Sequence, residues 1–249
     1  MKSDMAAHED ERIEDLQNDG LLILQKTQGF RFGMDSILLK DFVRIKPNEH
    51  VADLGTGSAV LPLLLSRKEP AARFSAFEWQ PDIADMAARS VSLNKMEAKI
   101  TIYCDDIRNA AARIGKASVQ VVVCNPPYGK KDNIILSQSE NKRLSRHETD
   151  CEIGDILKAA ESLLKNQGRL YVVFPAPRML ELFDRMREHH LEPKRLRMVC
   201  GKASKAPYLL LVEGMKNARP MLHWLPPLIV HHEDGSETEE LKAIYTSKR

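Results

Sequence analysis

HVADLGTGSAVLPLLLS, residues 50–66, joins in one short stretch the features that decide the fold. It opens with a mostly apolar run around Asp53, as in a strand buried on both faces. Gly55 and Gly57 follow, and glycine allows the tight backbone turn that leads from a strand into a helix. Apolar side chains then recur through residues 58–66 with helical spacing. Such a strand, turn and helix is the building unit of a parallel sheet flanked by helices.

The same alternation of short apolar runs with amphipathic segments continues along the chain. We predict seven strands, at residues 50–54, 73–78, 99–104, 119–124, 169–174, 194–200 and 207–214. Helices are predicted at residues 58–66, from Pro81 onward, at 152–165 and at 178–190. The loop at 201–206 is too short for a crossover helix, so the last two strands form an antiparallel hairpin. The prediction is an α/β fold whose seven-stranded, mostly parallel sheet has an antiparallel last strand and helices on both faces.

Shorter segments flank this predicted core. We expect a hairpin at residues 12–32 that turns at 18–20, a helix at 34–43 and a short strand at 226–230. Met221 and Trp224 are expected to pack within the tail. The chain is therefore divided into an N-terminal hairpin and helix packed on the core (1–45), the main α/β domain (46–216) and a C-terminal extension (217–249).

Composition and charge exclude several classes of protein. The chain has 249 residues, of which 43% are hydrophobic, enough for one sizeable core. It has no apolar run long enough to cross a bilayer, and its acidic N-terminus lacks the apolar segment of a secretory signal. The four cysteines lie far apart, which favours a reducing cytoplasm and argues against a metal site. The net charge of +2 permits a nucleic-acid partner without requiring one.

The glycine turn has the features of a small-molecule site, because glycine and a helix N-terminus bring backbone N–H groups close to a ligand. The candidate ligand-binding residues there are Asp53, Gly55, Thr56 and Gly57. A dinucleotide site needs a third glycine, but position 60 is Val60. The Asp53 carboxylate would also repel a pyrophosphate, whereas it suits the ammonium group of a methionine moiety.

Acidic residues end the next two strands. Glu78 ends the strand at 73–78, a position from which a carboxylate accepts both hydroxyls of a cofactor ribose. Asp105, Asp106 and Ile107 follow the third strand, where an acid can accept from an adenine amino group. We favour Asp106 with Ile107 beside it, although Asp105 can fill the role and both acids can simply cap the next helix.

The motif with the strongest chemical meaning is Asn125-Pro126-Pro127-Tyr128, directly after the fourth strand. An exocyclic amine of a base is a poor nucleophile because its lone pair is delocalised into the ring. The Asn125 side-chain oxygen and the Pro126 carbonyl can each accept one N–H and so localise that lone pair. Pro127 stiffens the turn, and the Tyr128 ring can stack on the base. An ordinary Asn-Pro turn is less favoured, because a glycine turn and an acid precede the motif in this order.

In their order these motifs resemble the NPPY-type, S-adenosylmethionine-dependent methyltransferases of Rossmann-like class I fold. The sequence is most similar to the bacterial adenine-N6 methyltransferases of the valine tRNA, over most of the chain. The shared motifs are Glu11-Arg12-Ile13, FGMDSILL at 32–39, DLGTGS at 53–58, NPPY at 125–128, Arg146-His147-Glu148 and Pro226-Pro227. The resemblance implies S-adenosylmethionine as cofactor and methyl transfer to N6 of an adenine in RNA, in tRNA near the anticodon. It also implies that FGMDSILL helps to close over the cofactor.

Basic residues near the predicted site are candidates for binding RNA. Residues 129–150 are too long for a plain connection, and we predict that they face the substrate with Lys130 and Arg146; an ordinary solvated loop is the alternative. A second basic cluster consists of Lys194, Arg195, Arg197, Lys202 and Lys205. Because the sixth strand should run parallel to its neighbours, Lys202 and Lys205 emerge at the same sheet edge as the other motifs.

The NPPY motif defines the chemistry better than the substrate, so other functions stay open. DNA adenine and protein glutamine N5 methyltransferases carry the same motif. A separate helical domain usually precedes the core of the glutamine enzymes, whereas about fifty residues precede the first strand here. A non-catalytic RNA-binding protein with a vestigial cofactor site is disfavoured by the intact Asp53, Glu78 and Asn125.

Overall fold

The computed structural model describes residues 7–16, 20–28, 33–126 and 153–246. The strands are β1 (Glu11–Asp15), β2 (Leu22–Lys26), β3 (His50–Leu54), β4 (Arg73–Glu78), β5 (Ile100–Cys104), β6 (Val119–Cys124), β7 (Leu164–Pro175), β8 (Leu191–Cys200), β9 (Pro207–Lys216), β10 (His223–Trp224) and β11 (Leu228–Ile229). The helices are α1 (Met34–Phe42), α2 (Val60–Lys68), α3 (Pro81–Leu93), α4 (Ala110–Ile114), α5 (Ile153–Leu163), α6 (Met179–Glu188) and α7 (Glu239–Thr246). Two 3₁₀ turns, Ile107–Asn109 and Ala176–Arg178, precede α4 and α6.

Strands β3 to β11 form one sheet in the order β10-β8-β9-β7-β6-β3-β4-β5, with β11 paired to β8. The strands from β3 to β7 pair in parallel. β9 is antiparallel to both β7 and β8, so β8 runs parallel to β7. This arrangement confirms the predicted α/β fold and its closing hairpin. The C-terminal segment adds two short strands, β10 and β11, both parallel to β8.

Most predicted elements agree with the observed ones to within a few residues. α3 begins at Pro81, as the sequence predicts. α2 begins at Val60 and not at residue 58, because Gly57 and Ala59 adopt left-handed backbone conformations. The sequence predicts that the strand after this helix begins at residue 169, but β7 already begins at Leu164, directly after α5, and includes Gly168.

The central strands are buried on both faces. On β6, Val121 and Val123 pack in the core that includes side chains of α1, α2, α3 and α7. Val122 and Cys124 pack in the opposite core with side chains of α4, α5 and α6. Burial on both faces explains why this strand is apolar apart from Gln120, and it fixes the register in which the strand ends are presented.

β1 and β2 form the predicted N-terminal hairpin, which packs against α3. The backbone N–H of Leu22 donates to Asn94 Oδ1 (3.0 Å), and Asn94 Nδ2 donates to the Leu22 carbonyl (2.6 Å). Arg89 of α3 pairs with Glu11 through two hydrogen bonds of 2.7 Å, and this contact lowers the pKa of Glu11 to about 2. The hairpin is therefore held against α3 by hydrogen bonds from the Asn94 and Arg89 side chains, in the place where a neighbouring strand would otherwise pair with it. The predicted turn residues 18 and 19 lie outside the described residues.

The predicted packing of Met221 and Trp224 is wrong. The two residues are 66% and 58% exposed. β10 lies at one edge of the described sheet, so side chains at this edge have little to pack against. Among the described helices, none has the length and hydropathy that a membrane-spanning segment requires.

Candidate active site

The carboxyl ends of four parallel strands bring the predicted site residues to one edge of the sheet. β6, β3, β4 and β5 are consecutive neighbours in the sheet and run in the same direction. Asn125 follows β6, the glycine turn follows β3, and Glu78 ends β4. Asp105 follows β5 on the outer side. Ligands of open parallel sheets bind at this edge, so the topology supports the predicted location.

The glycine turn curls over the end of β4. Gly55 and Gly57 have φ angles of 76° and 56°, a left-handed region that side chains with a Cβ rarely enter. The N–H groups of Gly55 and Thr56 donate to the Phe77 carbonyl at 3.0 and 2.9 Å. A Cβ added at either glycine would meet nothing within 4 Å, so the space beside the turn is open. The turn thus needs glycine for its backbone conformation and leaves room for a ligand.

Asp53 is a buried carboxylate without a hydrogen-bond partner in the described structure. Its residue is 0% exposed, and both carboxylate oxygens are unpaired among the described residues. Burial raises the pKa of Asp53 to about 7; the Thr56 hydroxyl opposes this shift, and the charge of Glu78 adds to it. Thr56 Oγ1 is also buried without a partner of hydrogen-bonding geometry among the described residues. Such unsatisfied buried groups are rare and indicate a place where a ligand supplies the missing partner.

Glu78 is held by backbone hydrogen bonds on both of its oxygens. Its Oε2 accepts from the N–H of Gly57 (3.0 Å), and its Oε1 accepts from the N–H of Gln80 (3.1 Å). Burial raises the pKa of Glu78, and these backbone donors oppose the shift. Each carboxylate oxygen can accept more than one hydrogen bond, so a ligand can still donate to Glu78. The side chain is therefore oriented before any ligand binds.

The acids after β5 make contacts within their own segment. Asp106 caps the 3₁₀ turn by accepting from the N–H of Arg108 (2.8 Å), and it also pairs with the Arg108 guanidinium. This contact holds the pKa of Asp106 below its usual range. Asp105 accepts from Asn109 (2.9 Å) and pairs with Arg113. The structure therefore shows the capping role of Asp106, and its role toward an adenine, with buried Ile107 beside it, stays a prediction.

Asn125 contacts a residue that the sequence did not single out. Its Nδ2 donates to Ser36 Oγ at 3.0 Å, although 89 positions separate the two residues. Ser36 is buried in the first turn of α1, within the FGMDSILL motif, and that motif was the available signal. One pocket is lined by Ser36, Gly55, Thr56, Gly57, Ser58, Val60, Leu61 and Asn125. The asparagine and the glycine turn thus share one cavity.

Part of the predicted site lies outside the described residues. Pro126 is described and buried, whereas Pro127 and Tyr128 fall in the range 127–152 that the structure does not describe. Lys130 and Arg146 fall in the same range. Within the described residues no group of three or more His, Cys, Asp or Glu side chains is arranged to hold a metal ion.

The second basic cluster is mostly used for contacts within the protein. Arg195 pairs with buried Glu213. Arg197 pairs with Glu240 of α7. Lys194 Nζ donates to the Arg219 carbonyl (3.0 Å), and Lys202 Nζ donates to the Glu233 carbonyl (2.8 Å). The exposed Lys205 side chain has no partner among the described residues, so it is the member most available to a ligand.

Comparisons with known proteins agree with this geometry. Residues 33–190 match the family model described as the methyltransferase small domain. A relative named tRNA1(Val) (adenine(37)-N6)-methyltransferase, from Porphyromonas gingivalis, is 28% identical over 189 residues, which are 74% of this chain and 73% of that protein. A relative of the same name from Histophilus somni is 26% identical over 234 residues, covering 89% of this chain and 91% of that one. The family match begins inside the predicted N-terminal part, and the predicted domain boundaries stay predictions.

Solved structures of similar fold include a predicted O-methyltransferase from Agrobacterium tumefaciens. Its TM-score is 0.70 at 19% identity, over 85% of this chain and 95% of that chain. The TYW2 protein of M. jannaschii, solved in complex with AdoMet, has a TM-score of 0.59 at 15% identity, over 84% of this chain and 87% of that one. At these identities the likeness concerns the fold.

Proposed function

Since this chain belongs to the methyltransferase small domain family, we propose that it transfers a methyl group from S-adenosylmethionine to N6 of an adenine in RNA. The observation that carries the proposal is that Asn125 and the glycine turn after β3 line the same pocket. A group able to activate a planar amine therefore stands beside a site able to hold the methyl donor. The names of the relatives support tRNA as the RNA, and we propose an adenine near the anticodon as the target. We place the reaction in the cytoplasm.

The residues at the sheet edge fit the parts of S-adenosylmethionine. The cofactor's ammonium group would supply the partner that both oxygens of Asp53 lack among the described residues. The remaining acceptor capacity of Glu78 suits the two ribose hydroxyls. Asp106 and Ile107, which follow the neighbouring strand β5, would face the adenine. Gly55, Thr56 and Gly57 provide an open backbone surface between them. When bound, the cofactor supplies an electrophilic methyl group on a positively charged sulfur.

Asn125 and Pro126 would act on the target nitrogen. The side-chain oxygen of Asn125 and the carbonyl of Pro126 would each accept a hydrogen bond from one N–H of the amine, which localises the nitrogen lone pair. The amine proton is lost after nitrogen has become cationic, so no strong general base is required. Pro127 would stiffen the turn, and Tyr128 would stack on the base, a contact of about 1–3 kcal/mol. Most of the rate enhancement then comes from orientation and fixed dipoles.

The substrate class is tested by offering several acceptors in parallel. Purified protein is incubated with cofactor labelled in its methyl group and with total tRNA, total DNA or ribosomal protein, and the labelled fraction is digested. We expect label in tRNA as N6-methyladenosine. Label in glutamine would support the protein N5 alternative, and label in DNA adenine would support the DNA alternative. Cofactor binding without transfer to any acceptor would support a non-catalytic RNA-binding protein.

Glu78→Ala is expected to weaken cofactor binding by about 1–3 kcal/mol, because it removes the ribose acceptors. Glu78→Gln should be nearly as damaging. The amide would turn its NH₂ group toward the N–H of either Gly57 or Gln80, both of which need an acceptor. Calorimetry with S-adenosylhomocysteine measures both variants. If either variant bound S-adenosylhomocysteine with wild-type affinity, Glu78 would not be a cofactor-binding residue.

Lys205→Ala is expected to remove one phosphate contact to tRNA. The slope of log affinity against log salt concentration should therefore fall in magnitude by about 1. Lys130 and Arg146 are proposed to contribute in the same way. Lys202→Ala is the matched comparison. Because Lys202 Nζ donates to the Glu233 carbonyl, this variant should lower the melting temperature of the protein, in addition to any change in the salt slope. Affinity measured against salt concentration gives the slopes. An unchanged slope in Lys205→Ala would argue against RNA at this sheet edge.

A further inference from the structure

We infer that Trp224, Arg219 and Lys194 form a surface that binds a nucleotide of the substrate RNA outside the pocket. This edge surface, as we name the three residues, lies where the C-terminal segment joins the sheet. The base of that nucleotide stacks on Trp224, and the two cations bind its phosphates. The inference rests on the proposed function, in which RNA is the substrate.

Trp224 is a large aromatic residue that the fold leaves on the surface. It lies opposite Leu196 in the parallel pairing of β10 with β8, at an edge of the described sheet. Leu196 and Leu222, which stands two residues before Trp224, pack in the core that includes α6, so Trp224 is on the same face of the sheet. Strand pairing thus fixes its backbone, while 58% of the residue stays exposed to a ligand.

The chain around Trp224 has no uncompensated acid. Residues 214–232 contain no aspartate or glutamate. The neighbouring strands β8 and β9 have one acid each, and both acids are paired with arginines, Glu192 with Arg187 and Glu213 with Arg195. The charge that remains at this edge is positive and suits a polyanion.

Arg219 and Lys194 are the cations of the edge surface. Lys194 Nζ donates to the Arg219 carbonyl (3.0 Å), so the two residues adjoin. The Arg219 side chain is exposed and has no hydrogen bond or ion pair with another described residue. A guanidinium binds phosphate oxygens with two parallel N–H groups, and a lysine ammonium has three N–H donors, so both residues can bind a phosphate.

Prolines beside β10 disfavour a partner that would extend the sheet. β10 has only two residues, and Pro220, Pro226 and Pro227 stand on either side of it. Proline has no N–H to offer to an added strand. The next N–H, that of Leu225, already donates to the Leu196 carbonyl (2.8 Å). Stacking on a side chain and phosphate binding need no backbone donors, so the edge surface suits RNA better than a second copy of this chain.

The edge surface is too far from the pocket to bind the target adenosine itself. In the sheet, β8, β9 and β7 lie between β10 and β6, which places Trp224 about 19 Å across the sheet from the strand that Asn125 follows. A chain of several nucleotides spans such a distance, whereas one nucleoside does not. The edge surface should therefore strengthen the binding of RNA and leave the chemical step unchanged.

Trp224→Leu tests the stacking, because it keeps an apolar side chain and removes the aromatic ring. We expect the Kd and the KM for tRNA to rise by about 10-fold, with kcat and cofactor affinity unchanged. The slope of log affinity against log salt concentration should stay the same, because this variant removes no cation. Trp224→Phe should keep most of the affinity. The melting temperature should change little in either variant, because the ring is largely exposed.

Arg219→Gln tests the phosphate contact. The magnitude of the salt slope should fall by about 1, because one cation that binds phosphate is lost. Arg67→Gln is the matched control. Arg67 is also an exposed arginine, but it lies in the last turn of α2, toward the opposite edge of the sheet, so its variant should keep the wild-type slope.

Fluorescence observes the stacking directly. The chain has two tryptophans, Trp79 and Trp224, so Trp79→Phe leaves Trp224 as the only emitting one. We expect tRNA to quench this emission. Unquenched emission in a variant that binds tRNA, or wild-type tRNA affinity in Trp224→Leu, would overturn the inference. Self-association of the wild type that Trp224→Leu abolishes, with equal tRNA affinity, would show an interface between copies instead.

Failure of the proposed function would look different. A wild-type protein that binds tRNA and methylates no RNA would contradict the proposed methyl transfer, while affinity and quenching still decide the role of Trp224. Conversely, normal methylation of tRNA with unchanged KM in Trp224→Leu would contradict the edge surface alone.

Discussion

Asn125→Ala is expected to reduce kcat by about 10²- to 10³-fold, the usual effect of removing one preorganised group that stabilises the reacting atoms. Without the side-chain oxygen, one proton of the target amine loses its acceptor and the lone pair stays delocalised in the ring. Cofactor affinity should change only a few-fold, because we assign the binding of that ligand mainly to Asp53 and the glycine turn. Single-turnover rates on tRNA and calorimetry with S-adenosylhomocysteine measure the two effects separately.

Asn125→Asp is the matched control for this prediction. The carboxylate keeps an acceptor at the same place, so the variant should retain much more activity than Asn125→Ala. Loss of activity through unfolding is checked from the melting temperature of both variants, since Asn125 is half-buried at the end of β6. A kcat for Asn125→Ala close to that of the wild type would show that the side chain does not act on the amine.

Asp53→Asn is expected to have two large and opposite effects. Cofactor affinity should fall roughly 10- to 100-fold, because a charge-assisted hydrogen bond to the ammonium group is lost. Stability without cofactor should rise at pH 8, because the wild type must then bury an ionised carboxylate that lacks a hydrogen-bond partner among the described residues. We therefore expect Asp53 to lower the stability of the protein while it favours cofactor binding, a combination that functional sites often show.

The direction of the pH dependence follows from the raised pKa of Asp53. The pKa is about 7 in the folded protein and 3.8 for an ordinary aspartate. Between these two values the folded state holds a proton that the unfolded state has released. The free energy of unfolding therefore falls as the pH rises from about 4 to about 7, by an amount on the order of 4 kcal/mol. Asp53→Asn has no carboxyl group at this position to titrate. The amount by which its free energy of unfolding exceeds that of the wild type should therefore disappear toward pH 4.

Chemical denaturation of both proteins at several pH values measures this difference. The cofactor provides a second measurement: it should stabilise the wild type more at pH 8 than at pH 5, because the ionised carboxylate is the form that pairs with an ammonium group. Parallel loss of stability in the wild type and in Asp53→Asn between pH 4 and pH 8 would show that Asp53 titrates normally.

The sequence by itself determined the sheet and the edge at which the site lies. Periodicity marks the buried strands, and glycine, proline and acidic residues mark their ends, because these preferences depend on the few residues nearest in the chain. Asp53, Glu78 and Asn125 were predicted as site residues in this way, since parallel strands necessarily bring their carboxyl ends to one edge. The helices after β4 and β7 were placed within a few residues for the same reason.

Only the tertiary structure decided which distant groups meet. Local pattern cannot show that Ser36 reaches Asn125, that Arg195 is neutralised by Glu213, or that Lys202 is tied to the turn at residue 233. It likewise predicted packing for Trp224, which lies exposed on an edge strand. These outcomes depend on how β8, β9 and the C-terminal segment pack beside the core. The charge and the hydrogen-bonding capacity of a side chain can be read from the sequence. Which other group pairs with that side chain depends on the fold.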